Sequence, residues 1–155
     1  MNLDYDVIIC IGVALLCILI AIAPRGKKRE FIARQFLTEN EMEFLSRLER
    51  AAPELRFHAQ VSMGAVLEAA IPRQQDVTAH MRARGKFSQK IIDFVAQSKR
   101  TGDIVAIIEL DDRTHDLEKD RKRDEMLFEA GYNIVRWDSR AKPQTKEIRD
   151  TLLSL

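Results

Sequence analysis

No cysteine occurs after Cys17, and the two present, Cys10 and Cys17, both fall in one apolar run near the N-terminus. The rest of the chain therefore holds no disulfide and no thiolate metal site, which agrees with a reducing compartment. No Lys or Arg precedes Arg25, so the positive n-region of a cleaved signal peptide is missing. Repeats and low-complexity segments are absent too. Nor is there a strong excess of one charge. All 25 Lys and Arg follow the apolar run, opposed there by the 24 acidic residues less Asp4 and Asp6, which leaves that part near +3. Such a balance does not by itself announce a nucleic-acid partner.

The apolar run is VIICIGVALLCILIAIA, residues 7–23, with Tyr5 before it and Pro24 after it. It meets the lower limit of about 17 residues for a transmembrane helix. Asp4 and Asp6 precede it, whereas Arg25, Lys27, Lys28 and Arg29 follow it, and basic flanks mark the cytoplasmic side. The expected layout is an extracytoplasmic N-terminus over 1–6, a transmembrane helix over 7–23, a basic linker over 24–35 and one domain over 36–155. That places a single-pass protein in the cell (inner) membrane with its domain cytoplasmic, and makes the lipid bilayer its first expected partner.

Within the domain, Thr38-Glu39-Asn40-Glu41 matches a capping box. Phe44, Leu45, Leu48 and Ala52 continue it as a helical face that ends near Pro53. A short strand is expected around Phe57–Val61, a helical turn over Ala65–Ala70 and a polar loop over Pro72–Lys86. Two β-prone runs, Ile91–Ala96 and Ile104–Leu110, flank the turn-like Lys99-Arg100-Thr101-Gly102-Asp103 and predict an antiparallel hairpin. A charged helix over Asp112–Ala130, a strand over Tyr132–Trp137 and a helix over Thr145–Leu153 complete an α/β sandwich around a mixed sheet. Trp137 is read as a core-edge residue.

Carboxylates inside otherwise apolar strands need an explanation, and Asp93 and Glu109 are of this kind. A hairpin symmetric about Thr101 sets them opposite one another, with Cβ atoms about 4.5–5.5 Å apart. Two bare carboxylates at that separation repel, and a shared divalent cation removes the conflict. Period-2 alternation brings Asp111 to the same face. Oxygen ligands of this type suit Mg²⁺, with Mn²⁺ as the alternative ion. The opposing reading is a charged sheet rim paired with neighbouring Lys and Arg.

The string Lys90-Ile91-Ile92-Asp93-Phe94-Val95, then Ile107-Ile108-Glu109-Leu110-Asp111-Asp112-Arg113-Thr114-His115, then Asp120, Arg123-Asp124, Leu127, Ala130-Gly131-Tyr132 and Val135-Arg136-Trp137 resembles the DUF2726 family. More distantly it is similar to the very-short-patch-repair-like and DUF559-like branch of the PD-(D/E)XK nuclease superfamily. The resemblance implies a restriction-endonuclease-like three-layer sandwich with Asp93 and Glu109 as metal ligands. At Asp111 the superfamily usually has a lysine, whereas DUF559-like and DUF2726-like sequences share an acid.

On this reading Asp93, Glu109, Asp111 and His115 carry catalysis, His115 as a general acid or base with an unperturbed pKa of about 6.5. Glu41, Lys90, Asp120 and Arg123 are accessory candidates, each with a plainer role beside it: capping for Glu41, an outward strand position for Lys90, and a solvated helix face for Asp120 and Arg123. The expected activity is Mg²⁺-dependent phosphodiester hydrolysis on DNA or RNA. The alternative is a catalytically inactive nuclease-fold module that binds nucleic acid or a protein partner, or a scaffold at the inner membrane face.

Overall fold

The structure, a computed structural model, describes residues 3–22, 30–111 and 117–155. It comprises two compact units, Met1–Arg34 and Gln35–Leu155.

The first unit contains α1, Leu3–Ile22. Among the described residues no helix is long and apolar enough to cross a membrane. The first turn of α1 is Leu-Asp-Tyr-Asp, and its apolar part begins only at Val7. From there to Ile22 the rise of about 1.5 Å per residue gives about 24 Å, short of the roughly 30 Å hydrocarbon core. The transmembrane assignment over 7–23 is therefore corrected. The N-outside orientation and the inner-membrane location fall with it, as does the fold class that began with a membrane span.

The second unit runs α2 (Glu39–Ala51), β1 (Leu55–Ser62), α3 (Val77–Gly85), β2 (Ile91–Ser98), β3 (Ile104–Asp111), α4 (Leu117–Glu129), β4 (Ile134–Asp138) and α5 (Thr145–Leu153). Its four strands form one mixed sheet in the order β1-β2-β3-β4. β1, β2 and β3 make an antiparallel meander, and β4 lies parallel to β3. A parallel neighbour requires a crossover, which α4 provides.

Helices cover both faces of this sheet. Phe44 and Leu48 of α2 and Ile148 and Leu152 of α5 pack with Phe94, Ala96, Ala106, Ile108 and Leu110. On the other face Leu127 of α4 joins Met63, Phe87, Val95 and Ile107. Coverage on two sides explains why β3 is an almost continuous apolar run rather than an alternating one. Phe44 anchors its side through edge contacts with Phe94 and Trp137, at centroid separations of 5.9 and 5.6 Å.

Two local expectations change. The segment 72–86, read as a loop, contains α3, capped by Asp76, whose carboxylate accepts from the Ala79 N–H. α3 buries no residue, so it lacks the apolar periodicity that marks a helix in sequence. The turn expected over 65–70 is instead a 3₁₀ turn at Met63–Ala65, started where the Ser62 hydroxyl accepts from the Gly64 N–H.

Candidate functional site

The β2–β3 ladder pairs Ala96 with Ala106, Val95 with Ile107 and Phe94 with Ile108, the register of a hairpin centred on Thr101. Continued by one residue, it sets Asp93 against Glu109. Just beyond the paired residues, the Leu110 N–H donates to Asp93 Oδ2 at 2.9 Å. A side chain of β2 has taken a main-chain donor of β3, so the Asp93 carboxylate is fixed at the end of the ladder.

Glu109 is 1% exposed, the most deeply buried charged side chain among the described residues. Alternation puts it on the α4 side of β3, where Arg123 Nη2 lies 3.1 Å from its Oε2. Its Oε1 is buried with no hydrogen-bond partner among the described residues. Burial pushes the Glu109 carboxyl up to about 8, aided by the charges of Asp93 and Asp111 and opposed by Arg123 and Arg136. Burial also raises Asp93, with the Glu41 charge adding to it. The Leu110 N–H, the Arg123 charge and a hydrogen bond with Glu109 pull the other way. Burial is thus the leading influence on both carboxyls, and it pushes both toward the protonated form.

Glu41 reaches the same region from α2. Its Oε2 accepts from the Thr38 N–H at 2.6 Å while its own N–H donates to Thr38 Oγ1 at 3.2 Å, which is the capping box expected from the sequence. Its Oε1 accepts from Gln60 Nε2 at 2.9 Å. Gln60 is the only non-glycine residue with positive φ among the described residues, at +53°. Sequence reasoning missed Gln60, and the signal was slight: one amide inside the strand run Ala59-Gln60-Val61.

Asp111 is held differently. Arg136 Nη1 donates to Asp111 Oδ1 at 2.6 Å, and its Nε and Nη2 donate to the two carboxylate oxygens of Asp124 at 3.0 and 2.7 Å. Burial lowers the Arg136 pKa, but the bonds to Asp124 and Asp111 outweigh it and raise the pKa overall. One guanidinium therefore joins β3, α4 and β4. For Asp111 this is the ion-paired sheet rim weighed from the sequence, and Asp124 and Arg136 supply its partners.

Lys90 lines a groove with Lys86 and Lys122 beside α4. Arg123 stands against Glu109, as already described. His115 lies outside the described residues, and so does the Asp120 side chain. Among the described residues no group of three or more His, Cys, Asp or Glu side chains is placed to hold a metal ion. A cation at this site would thus rest on Asp93 and Glu109, with water completing its shell, a pattern Mg²⁺ accepts. The orphaned buried Oε1 fits a ligand role.

A family model described as a protein of unknown function, DUF2726, matches residues 33–155. The chain belongs to the DUF2726 family. The match covers the whole sheet and every residue of the carboxylate cluster, so the site lies within the DUF2726 domain. No curated protein and no solved structure matches this DUF2726 chain.

Proposed function

We propose that the domain is a Mg²⁺-dependent phosphodiesterase of the nuclease type, acting on DNA or RNA and related to the PD-(D/E)XK superfamily. The observation that carries this reading is Glu109, a buried carboxyl with one oxygen that has no hydrogen-bond partner among the described residues, set beside Asp93 where the β2–β3 ladder ends. A carboxyl kept protonated by burial and a neighbouring acid is an arrangement with high cost and no packing benefit, which is typical of functional sites.

Asp93 and Glu109 would hold the ion, with Mn²⁺ as a substitute. When bound, a divalent ion supplies Lewis acidity toward a phosphodiester oxygen and toward water. Glu109 would serve as a ligand in its ionised carboxylate form. Asp93 keeps its orientation through the Leu110 N–H, and the Glu41 charge acts on it from α2. Arg123 places a fixed positive charge at the carboxylates, suited to the charge that develops on an attacked phosphate. His115 retains its role as the proposed general acid or base.

Incubation of the purified chain with Mg²⁺ or Mn²⁺ and labelled single- and double-stranded DNA and RNA tests the reading. Cleavage is expected in the wild type and lost in Asp93→Ala and Glu109→Ala. A wild type that cuts none of these substrates sinks the proposal.

A second reading has its own observation. Arg123 already faces Glu109, and Arg136 already neutralises Asp111, so the acids have internal cations. On that basis the domain is a nuclease-fold module that binds nucleic acid or a protein without cutting. Nucleic-acid binding unchanged in Asp93→Ala, without cleavage or uptake of Mg²⁺ by calorimetry, favours it.

A further inference from the structure

A groove of about 530 Å³ is lined by Lys86 and Lys90 together with Lys122, Glu125, Met126 and Glu129 of α4. The four α4 residues recur at i, i+3, i+4 and i+7, so they form one face of the helix. Of the two acids, Glu125 pairs with Arg121 at 2.9 Å. The other wall comes from a segment of one sign: from Val77 to Ile92 the chain carries Arg82, Arg84, Lys86 and Lys90 and no acidic residue.

The groove adjoins the site along the chain in two places. Lys122 directly precedes Arg123, which faces Glu109, and Lys90 lies three residues before Asp93. We propose that this groove is a backbone subsite: Lys86, Lys90 and Lys122 bind successive phosphates of a nucleic-acid strand whose scissile phosphate reaches Asp93 and Glu109. The choice of nucleic acid as the polyanion rests on the hydrolase reading. Ammonium groups act as point charges without the planar demand of a guanidinium, which suits contact that is independent of sequence. Three lysines against Glu125, which pairs with Arg121, and Glu129 leave the groove net positive, and the adjacency of Lys122 to Arg123 and of Lys90 to Asp93 along the chain sets the path of the strand.

The test uses the full chain and labelled mixed-sequence DNA, single-stranded and duplex, in EDTA, with binding followed by anisotropy across a salt series. In the triple variant Lys86→Gln, Lys90→Gln, Lys122→Gln, affinity is expected to fall at least about 10-fold. The slope of log K against log salt should lose about 2 units on single strands and about 3 on duplex, the share of three phosphate contacts. The corresponding triple arginine variant should retain binding. Lys99→Gln with Arg100→Gln removes two charges at the opposite end of β2 and should change affinity by no more than about 2-fold. Exposed Lys86→Gln and Lys122→Gln, made singly, carry the same comparison where the triple variant does not fold. Equal losses in the groove and control variants, or no loss in the groove variants, overturn the proposal.

Cleavage separates it from the hydrolase reading. If the wild type cuts nucleic acid and the groove variants cut as well, the groove is overturned and the hydrolase stands. If the wild type binds through the groove and does not cut, the groove stands and the hydrolase reading fails.

Discussion

At the Glu109 carboxyl, burial is the largest influence, and the charges of Asp93 and Asp111 reinforce it against Arg123 and Arg136. The folded-state pKa of about 8 lies above the ordinary 4.5, so the folded protein binds this proton more tightly than the unfolded chain does. Below about pH 4.5 both states are protonated and the group costs nothing; as pH rises toward 8 and beyond, the unfolded chain ionises first and gains. Metal-free protein should therefore lose stability between about pH 4.5 and pH 8, by a few kcal/mol at the upper end on the order-of-magnitude scale of about 1.4 kcal/mol per unit. Glu109→Gln removes the ionisation and should flatten the dependence. Urea denaturation in EDTA at pH 5.5 and pH 8.5 checks this, and an equal pH dependence in the two proteins contradicts it.

Arg136 does at the level of elements what no single hydrogen bond of the sheet does, because it holds the crossover helix to both strands that the helix connects. Its planar fork meets Asp124 with two donors and Asp111 with a third, a geometry that lysine cannot reproduce. Arg136→Lys should cost about 1–3 kcal/mol, discounted from a fully buried pair because these side chains are a quarter to a third exposed. The loss is measured by chemical denaturation; a lysine variant as stable as wild type contradicts a fork-specific role. The elements were legible in the sequence wherever a local signal and a buried face coincided. The Thr38–Glu41 box located the start of α2, and the Ile91–Ala96 and Ile104–Leu110 runs located the hairpin and its register. α3 was illegible because it buries nothing, and α1 was misjudged because a count at the lower limit of about 17 residues was taken as sufficient, whereas Val7 to Ile22 rises only about 24 Å. In the site, Asp93 and Glu109 stood out as acids among apolar residues. The partners of those acids did not, since Arg123, Asp124 and Arg136 acquire meaning only when the crossover folds α4 against the sheet.

On the scale of the molecule, the unit Gln35–Leu155 holds both apolar layers and the whole carboxylate cluster. A fragment 35–155 should accordingly fold alone and unfold cooperatively, with a urea m-value of about 1–3 kcal/mol/M. A gradual transition without a cooperative midpoint contradicts that expectation. The sheet of this unit has two outer strands, β1 and β4, and an outer strand exposes unpaired amides and carbonyls on which another chain can build. Gln60, at φ +53°, lies in the middle of β1. A left-handed residue there breaks the straight row of main-chain groups, so the contact that ties Gln60 to Glu41 also makes this edge a poor template for strand addition and aggregation.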